Sequence, residues 1–190
     1  MALRIILARY LNIAPQCLTF SYGIHGKPEL ASNLKGSRIE FNLSHSSDAG
    51  FLAVAQGLRI GADIEFIDPA FAREEIAWRF FSGREVRILQ SLPATERAEA
   101  FFSCWTRKEA YIKALGLGLS LPLRSFDVAF GPGVRPALLR SDIFAEEQSR
   151  WSVYDVAAPP GFKAAVVVEG KEHQLHQREW SAEMEARQDR

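Results

Sequence analysis

Trp105-Thr106-Arg107-Lys108-Glu109-Ala110-Tyr111-Ile112-Lys113-Ala114-Leu115-Gly116 closes the longest helical pattern in the chain. The pattern runs from Glu96 to Leu115, with Phe101, Trp105, Ile112 and Leu115 on one apolar stripe. Gly116 follows as a C-terminal cap. Glu109 and Lys113 lie one turn apart and flank the stripe. In the favoured Glu-before-Lys order they form either a surface ion pair worth a few tenths of a kcal/mol, or a working pair. In the second case Glu109 is a metal-binding carboxylate and Lys113 neutralises a phosphate.

Upstream, Arg59 to Ile67 is predicted as a strand containing Gly61-Ala62-Asp63-Ile64-Glu65-Phe66. Side chains alternate along a strand, so Ile60, Ala62, Ile64 and Phe66 share a core face while Asp63 and Glu65 point together from the other. Two neighbouring carboxylates repel unless a cation or a solvated rim relieves them. An edge strand with a solvated face and a site for a hard cation such as Mg²⁺, which takes oxygen ligands, are both compatible with the pattern. A helix is expected to start at Asp68-Pro69, with Asp68 as N-cap and Pro69 at the first helical position. Ser82-Gly83-Arg84-Glu85 has the form of a capping box that starts another.

The opening residues are helical, with Leu3, Ile6, Leu7 and Tyr10 on one face. Leu18–Gly23, Ile39–Ser44, Gly50–Ala55, Ser125–Phe130, Trp151–Val156 and Phe162–Val168 are predicted strands. Gly-Phe-x-Ala occurs at 50–53 and again at 161–164, each time after an alternating strand; so short a match arises by chance about as readily as by duplication, and at face value it suggests two similar halves joined near Gly57–Arg59. The strand at Ile39 runs into Asn42-Leu43-Ser44-His45-Ser46. Hydroxyls, an imidazole and free amides at a strand end serve either as turn caps or as a phosphate cradle.

The 190 residues contain 23 Lys plus Arg against 23 Asp plus Glu, and 47% are hydrophobic. That balance fits a globular chain and not a general polyanion binder, whose affinity comes from excess Lys and Arg on phosphates. No nucleic-acid partner is expected. Cys17 and Cys104 suit neither a disulfide framework nor a zinc site, and both are expected as small buried hydrophobes. Arg4 and Arg9 interrupt the apolar run that a signal peptide needs, and no stretch is long and apolar enough to span a bilayer. A cytoplasmic protein without membrane contact is the expectation.

Taken together, Gly26-Lys27-Pro28, Phe41-Asn42-Leu43-Ser44-His45-Ser46, Gly61-Ala62-Asp63-Ile64-Glu65, Arg79-Phe80-Phe81-Ser82 and Trp105 to Gly116 resemble, in order and spacing, the phosphopantetheinyl transferase family of the broad-specificity, surfactin-synthetase-activating type. The likeness extends through Gly118-Leu119-Ser120 and Leu123–Val128 and covers about Ile5 to Val168. Each motif alone is weak; the ordered set is specific.

The resemblance implies an α+β fold of two similar α/β halves related by a pseudo-twofold axis. Residues 1–58 would form the N-terminal half and residues 59–170 the half carrying the metal site, with 171–190 a charged tail. Coenzyme A would lie in the cleft between the halves. Mg²⁺, with Mn²⁺ as a substitute, would be held by Asp63, Glu65 and Glu109. The implied reaction moves the 4′-phosphopantetheine arm from coenzyme A to a serine of an apo acyl or peptidyl carrier protein and releases adenosine 3′,5′-bisphosphate. Glu109 would take the serine proton and Lys113 would serve the departing phosphate. Lys27, Asn42, Ser44 and His45, with Glu109 and Lys113, would contact coenzyme A. A monomer is expected, since one chain already contains the pseudo-dimer. Members of this type carry several tens of residues before the helix that opens here at Leu3, a stretch supplying basic residues for the 3′-phosphate. The N-terminal half is therefore expected to be short. The alternatives are a shortened relative that binds coenzyme A or a carrier protein with little turnover, and an unrelated Mg²⁺-dependent phosphohydrolase.

Overall fold

A computed structural model describes residues 2–24, 26–143 and 146–180. Helix α1 (Ala2–Leu11) is followed by a short antiparallel pair, β1 (Phe20–Tyr22) with β2 (Pro28–Leu30). Next comes the hairpin of β3 (Ile39–Ser46) and β4 (Ala49–Gln56), in a register that pairs Ile39 with Gln56 and Ser46 with Ala49. The buried face of α1 runs through Leu3, Leu7 and Leu11, one step round from the expected one; Tyr10 is 60% exposed. Leu7, Leu18, Leu30 and Phe41 form an apolar cluster of their own in this part of the chain.

Strand β5 (Ile60–Phe66) opens the second part, followed by helices α2 (Glu74–Phe80), α3 (Gly83–Ser91) and α4 (Ala94–Leu115). The expected helix start at Asp68-Pro69 is corrected: the Asp68 carboxylate accepts a hydrogen bond from the Ala70 amide at 2.8 Å, and that local turn delays the helix to Glu74. The capping box is present, with Ser82 Oγ accepting from the Glu85 amide at 3.2 Å and Glu85 Oε2 from the Ser82 amide at 2.9 Å. Gly116 ends α4 at φ 72°, a left-handed conformation that glycine adopts at little cost.

The chain continues through β6 (Phe126–Ala129), β7 (Ala137–Ser141), the short α5 (Glu147–Arg150), β8 (Trp151–Asp155) and β9 (Phe162–Glu169). Strands β5, β9 and β8 make one antiparallel sheet in that order, and β6 pairs with β7. The mixture of helices with antiparallel sheets is the expected α+β class. In the charged tail, residues 171–180 carry neither helix nor strand, and 181–190 lie outside the described residues. Cys104 is buried as expected, whereas Cys17 is exposed, at the end of a single 3₁₀ turn.

Strand β5 has two buried faces. Ile60 and Ala62 pack with Ala53, Val166 and Val168. Phe66 is the exception to the expected core face: it is 47% exposed and meets Phe162 edge-on. The opposite face, with Gly61 and Asp63, lies under α4. A Cβ at Gly61 would stand 2.0 Å from Ala110 O and 2.3 Å from Ala114 N, both backbone atoms of α4. Only a glycine lets this helix sit so close to the strand. Gly61→Ala is therefore expected to cost about 1–3 kcal/mol, the usual range for overpacking. At ~2–4 °C per kcal/mol for a chain of this size, thermal unfolding should show the loss directly. An unchanged Tm would mean that α4 is not seated on Gly61.

Candidate active site

The site lies where β3, β5 and α4 meet. β5 is an edge strand of its sheet, and its outward amides need partners. They find side chains. Asn42 Oδ1 accepts from the Ala62 amide at 2.8 Å, Ser44 Oγ from Ile64 at 3.4 Å and Ser46 Oγ from Phe66 at 3.1 Å. Every second residue of β3 thus meets the residue 20 places on, so the two strands run parallel and are joined by side chains. Lys27 ties the same corner from another direction, donating to Ile60 O at 3.2 Å and to Lys113 O, at the end of α4, at 2.8 Å. Burial lowers the Lys27 ammonium below its ordinary pKa, with Glu40 and Glu29 opposing.

Asp63 is 2% exposed. Its Oδ1 accepts from Lys113 Nζ at 2.6 Å and from Ser44 Oγ at 2.9 Å. Lys113 Nζ also reaches Ser44 Oγ at 3.0 Å. Lys113 therefore pairs with Asp63 across the helix–strand contact: its hydrogen-bonded carboxylate is the one on the strand. Burial pushes the Asp63 carboxyl up to about 7, against the opposing pull of Lys113. Glu65 Oε2 accepts from Ser46 Oγ at 2.7 Å. Glu109, half-buried on α4, is raised above the usual carboxylate range by burial, with Lys113 opposing and Glu65 adding to the rise.

Asp63, Glu65, Glu109 and Lys113 are thus brought to one seam, with Ser44 among them. The expected solvated alternative for Asp63 does not occur. Lys27 and Asn42 sit at the same seam, but both engage backbone, so their polar ends join the two parts of the chain. His45 is not brought in: it is exposed, while its neighbours Asn42 and Ser44 are buried. Ser46 belongs to the strand-end motif read as turn caps or a phosphate cradle, but was not among the residues expected to contact coenzyme A or metal. The signal for it was alternation, since 42, 44 and 46 share one face of β3.

Asp63 Oδ2 is buried without a hydrogen-bond partner. Such an atom is costly to leave unsatisfied. Asp63, Glu65 and Glu109 would offer only oxygen donors, with no His or Cys among the three, which is the ligand type that suits Mg²⁺ or Mn²⁺. Among the described residues, no group of three or more His, Cys, Asp or Glu side chains is already drawn together as a metal site.

Comparison with known proteins identifies the family. The model of the 4′-phosphopantetheinyl transferase superfamily matches residues 59–167, from β5 to β9. The chain belongs to this superfamily. It is 38% identical over 168 residues to a 4′-phosphopantetheinyl transferase HetI of Nostoc, covering 88% of this chain and 68% of that one. It is 42% identical over 120 residues to a putative 4′-phosphopantetheinyl transferase of Synechocystis, covering 63% of this chain and 48% of the relative. With the 4′-phosphopantetheinyl transferase Sfp of Bacillus subtilis it shares 32% over 163 residues, covering 86% and 68%. The chain thus spans about half to two thirds of the length of these relatives. A holo-[acyl-carrier-protein] synthase of Thermotoga maritima aligns with a TM-score of 0.45 at 25% identity, over 60% of this chain and 63% of that one. The family and enzyme class expected from the ordered motifs are those of the relatives. Among the described residues no helix is long and apolar enough to cross a membrane.

Proposed function

We propose that the chain transfers the 4′-phosphopantetheine arm of coenzyme A to a serine of an apo acyl or peptidyl carrier protein at the β3–β5–α4 seam, with adenosine 3′,5′-bisphosphate as the second product. Asp63, Glu65 and Glu109 would hold Mg²⁺. The observation that carries this reading is Asp63: a buried carboxylate under an ammonium, with one oxygen unpartnered. When bound, Mg²⁺ offsets negative charge on the pyrophosphate and the leaving group. Phosphoryl transfer is driven mostly by positioning and charge neutralisation, so the protein's task is to hold groups in place. Lys113 is placed to exchange Asp63 for a phosphate oxygen and to steady the leaving phosphate. Glu109 is held in a partly desolvated position where its raised basicity suits removal of the serine proton, directly or through one water. The joint of residues 1–58 with 59–170 falls just before β5, so both flanks of the seam come from different parts of the chain, consistent with coenzyme A lying between them. We read the protein as a cytoplasmic monomer.

Incubation with coenzyme A, Mg²⁺ and several apo carrier proteins, followed by intact mass, tests the reading. The expected result is one phosphopantetheine added at one serine, abolished in excess EDTA and restored by Mg²⁺ or Mn²⁺. Full turnover in EDTA would overturn the metal assignment. Binding of coenzyme A with no mass gain on any carrier protein would favour the non-turnover relative.

His45 is proposed to act on a peripheral phosphate of the nucleotide, since it is exposed and set apart from the carboxylates. One hydrogen bond to a charged group is worth ~1.5–3 kcal/mol, so His45→Ala should raise the Kd for coenzyme A about ten- to a hundredfold while kcat at saturation changes little. Unchanged affinity in titration calorimetry would remove His45 from the site.

A further inference from the structure

The seam between β3 and β5 does more than join two strands. Two of its three rungs have a second end. Ser44 Oγ accepts from the Ile64 amide and donates to Asp63 Oδ1 at 2.9 Å. Ser46 Oγ accepts from the Phe66 amide at 3.1 Å and donates to Glu65 Oε2 at 2.7 Å. Each hydroxyl holds a backbone amide of β5 and, through its own proton, a carboxylate one residue earlier on the same strand. A hydroxyl can do both at once from a single oxygen, since it offers one donor and two acceptor lone pairs. The third rung, Asn42 to the Ala62 amide, has no carboxylate beside it.

Ser44 has Lys113 as a further partner, so Asp63 is oriented from two sides. For Glu65, Ser46 is the hydrogen-bond donor that the structure provides. Glu65 is less buried than Asp63 and lies near the end of its strand, where a long side chain has rotamers to lose. We infer that Ser46 is a positioning residue for the transfer reaction: its hydroxyl holds the Glu65 carboxylate in the orientation in which it binds the divalent cation. This rests on the metal site proposed above. Groups that orient a ligand in this way typically contribute 10- to 100-fold to metal affinity.

The test is Mn²⁺ binding to the full chain, with coenzyme A present, measured by loss of the free Mn²⁺ electron-paramagnetic-resonance signal. Thermal unfolding in EDTA is followed in parallel. Ser46→Ala is expected to raise the Kd for Mn²⁺ by roughly 10- to 100-fold. Ser46→Thr, which keeps the hydroxyl, should return it to near the wild-type value. The Phe66 amide sits at an exposed strand end where water can replace the lost acceptor, so the Tm in EDTA should change little. Transfer assays should show the split expected of a ligand-orienting group, with the Mg²⁺ requirement rising and the KM for the carrier protein unmoved. Wild-type Mn²⁺ affinity in Ser46→Ala overturns the positioning role and leaves the metal site standing. Absence of Mn²⁺ uptake by the wild-type protein overturns both. Should Ser46→Ala unfold, Ser46→Thr decides the matter: affinity near wild type sustains the role, and loss of affinity in a folded threonine variant overturns it.

Discussion

Glu109→Ala is expected to lower kcat for phosphopantetheine transfer by about 10²–10⁴-fold, the range that a positioned general base contributes, and to leave the fold intact. The two halves of this expectation have one physical origin. Burial raises the Glu109 carboxyl above its ordinary pKa, with Glu65 adding to the rise and Lys113 only partly opposing it. A carboxyl whose pKa is higher in the folded than in the unfolded state binds its proton more tightly when folded. Its ionised form therefore destabilises the native state, and this penalty is fully present once the pH exceeds the folded pKa. Removing the side chain relieves it. In EDTA at pH 8, Glu109→Ala should match or exceed the wild-type Tm, and the difference should shrink as the pH falls toward the ordinary Glu range. Loss of rate without loss of stability is the pattern of a group kept for chemistry at the expense of the fold. A variant with wild-type kcat would exclude Glu109 from the chemistry. One with a collapsed Tm would make it a structural residue.

The pieces that positioned Glu109 were readable from sequence to different degrees. The alternating runs that became β3, β5 and β8 are long enough for a period of two to show, the apolar runs that became β4 and β9 mark buried strands, and the helix ending at Gly116 has both a stripe and a cap. β2 and β7 were missed. Pro28–Leu30 is three residues long, and Ala137-Leu138-Leu139-Arg140-Ser141 lacks alternation, so neither carries a local signal. The two strands take their conformation from the partners they pair with. Asp68-Pro69 shows the opposite failure. The cap residue was present, but its side chain closed a turn two residues on, and Arg73 stands at the N-cap. For the site, the ordered motifs named the carboxylates and Lys113 that the fold brings to the seam. They could not show that the Asp63 face lies under α4, because that depends on Gly61 meeting the backbone of a helix about fifty residues later. Nor could spacing alone show that Asn42, Ser44 and Ser46 reach sideways to β5, since alternation assigns them a face but not a partner.

Lys108 is a residue of the Trp105–Gly116 stretch whose role the sequence left open, and its replacement should have a large effect on stability. In the helix it falls seven residues after Phe101 and four before Ile112, so it lies on the buried stripe. Its side chain is 0% exposed. Nζ meets Glu85 Oε2 at 2.8 Å, donates to Leu123 O at 2.8 Å and to Phe126 O, and lies 4.3 Å from the centre of the Phe126 ring. Glu85 is equally engaged: its other oxygen accepts from the Val128 amide at 2.9 Å, and the oxygen facing Lys108 also caps Ser82. One ion pair thus fastens α3, α4 and β6 together. Removing one member of a buried pair leaves the other charge uncompensated and costs about 3–5 kcal/mol. Lys108→Met, similar in volume, should lower the Tm by several degrees per kcal/mol lost, at ~2–4 °C each. Replacing Glu85 as well with leucine should recover only part of that loss, because Ser82 and Val128 would then lack their acceptor. Enclosed on every side, the Lys108 ammonium cannot reach a substrate. At a temperature where Lys108→Met is folded, its KM for coenzyme A should equal that of the wild type. A raised KM with an unchanged Tm would reverse the assignment and place Lys108 in the cleft.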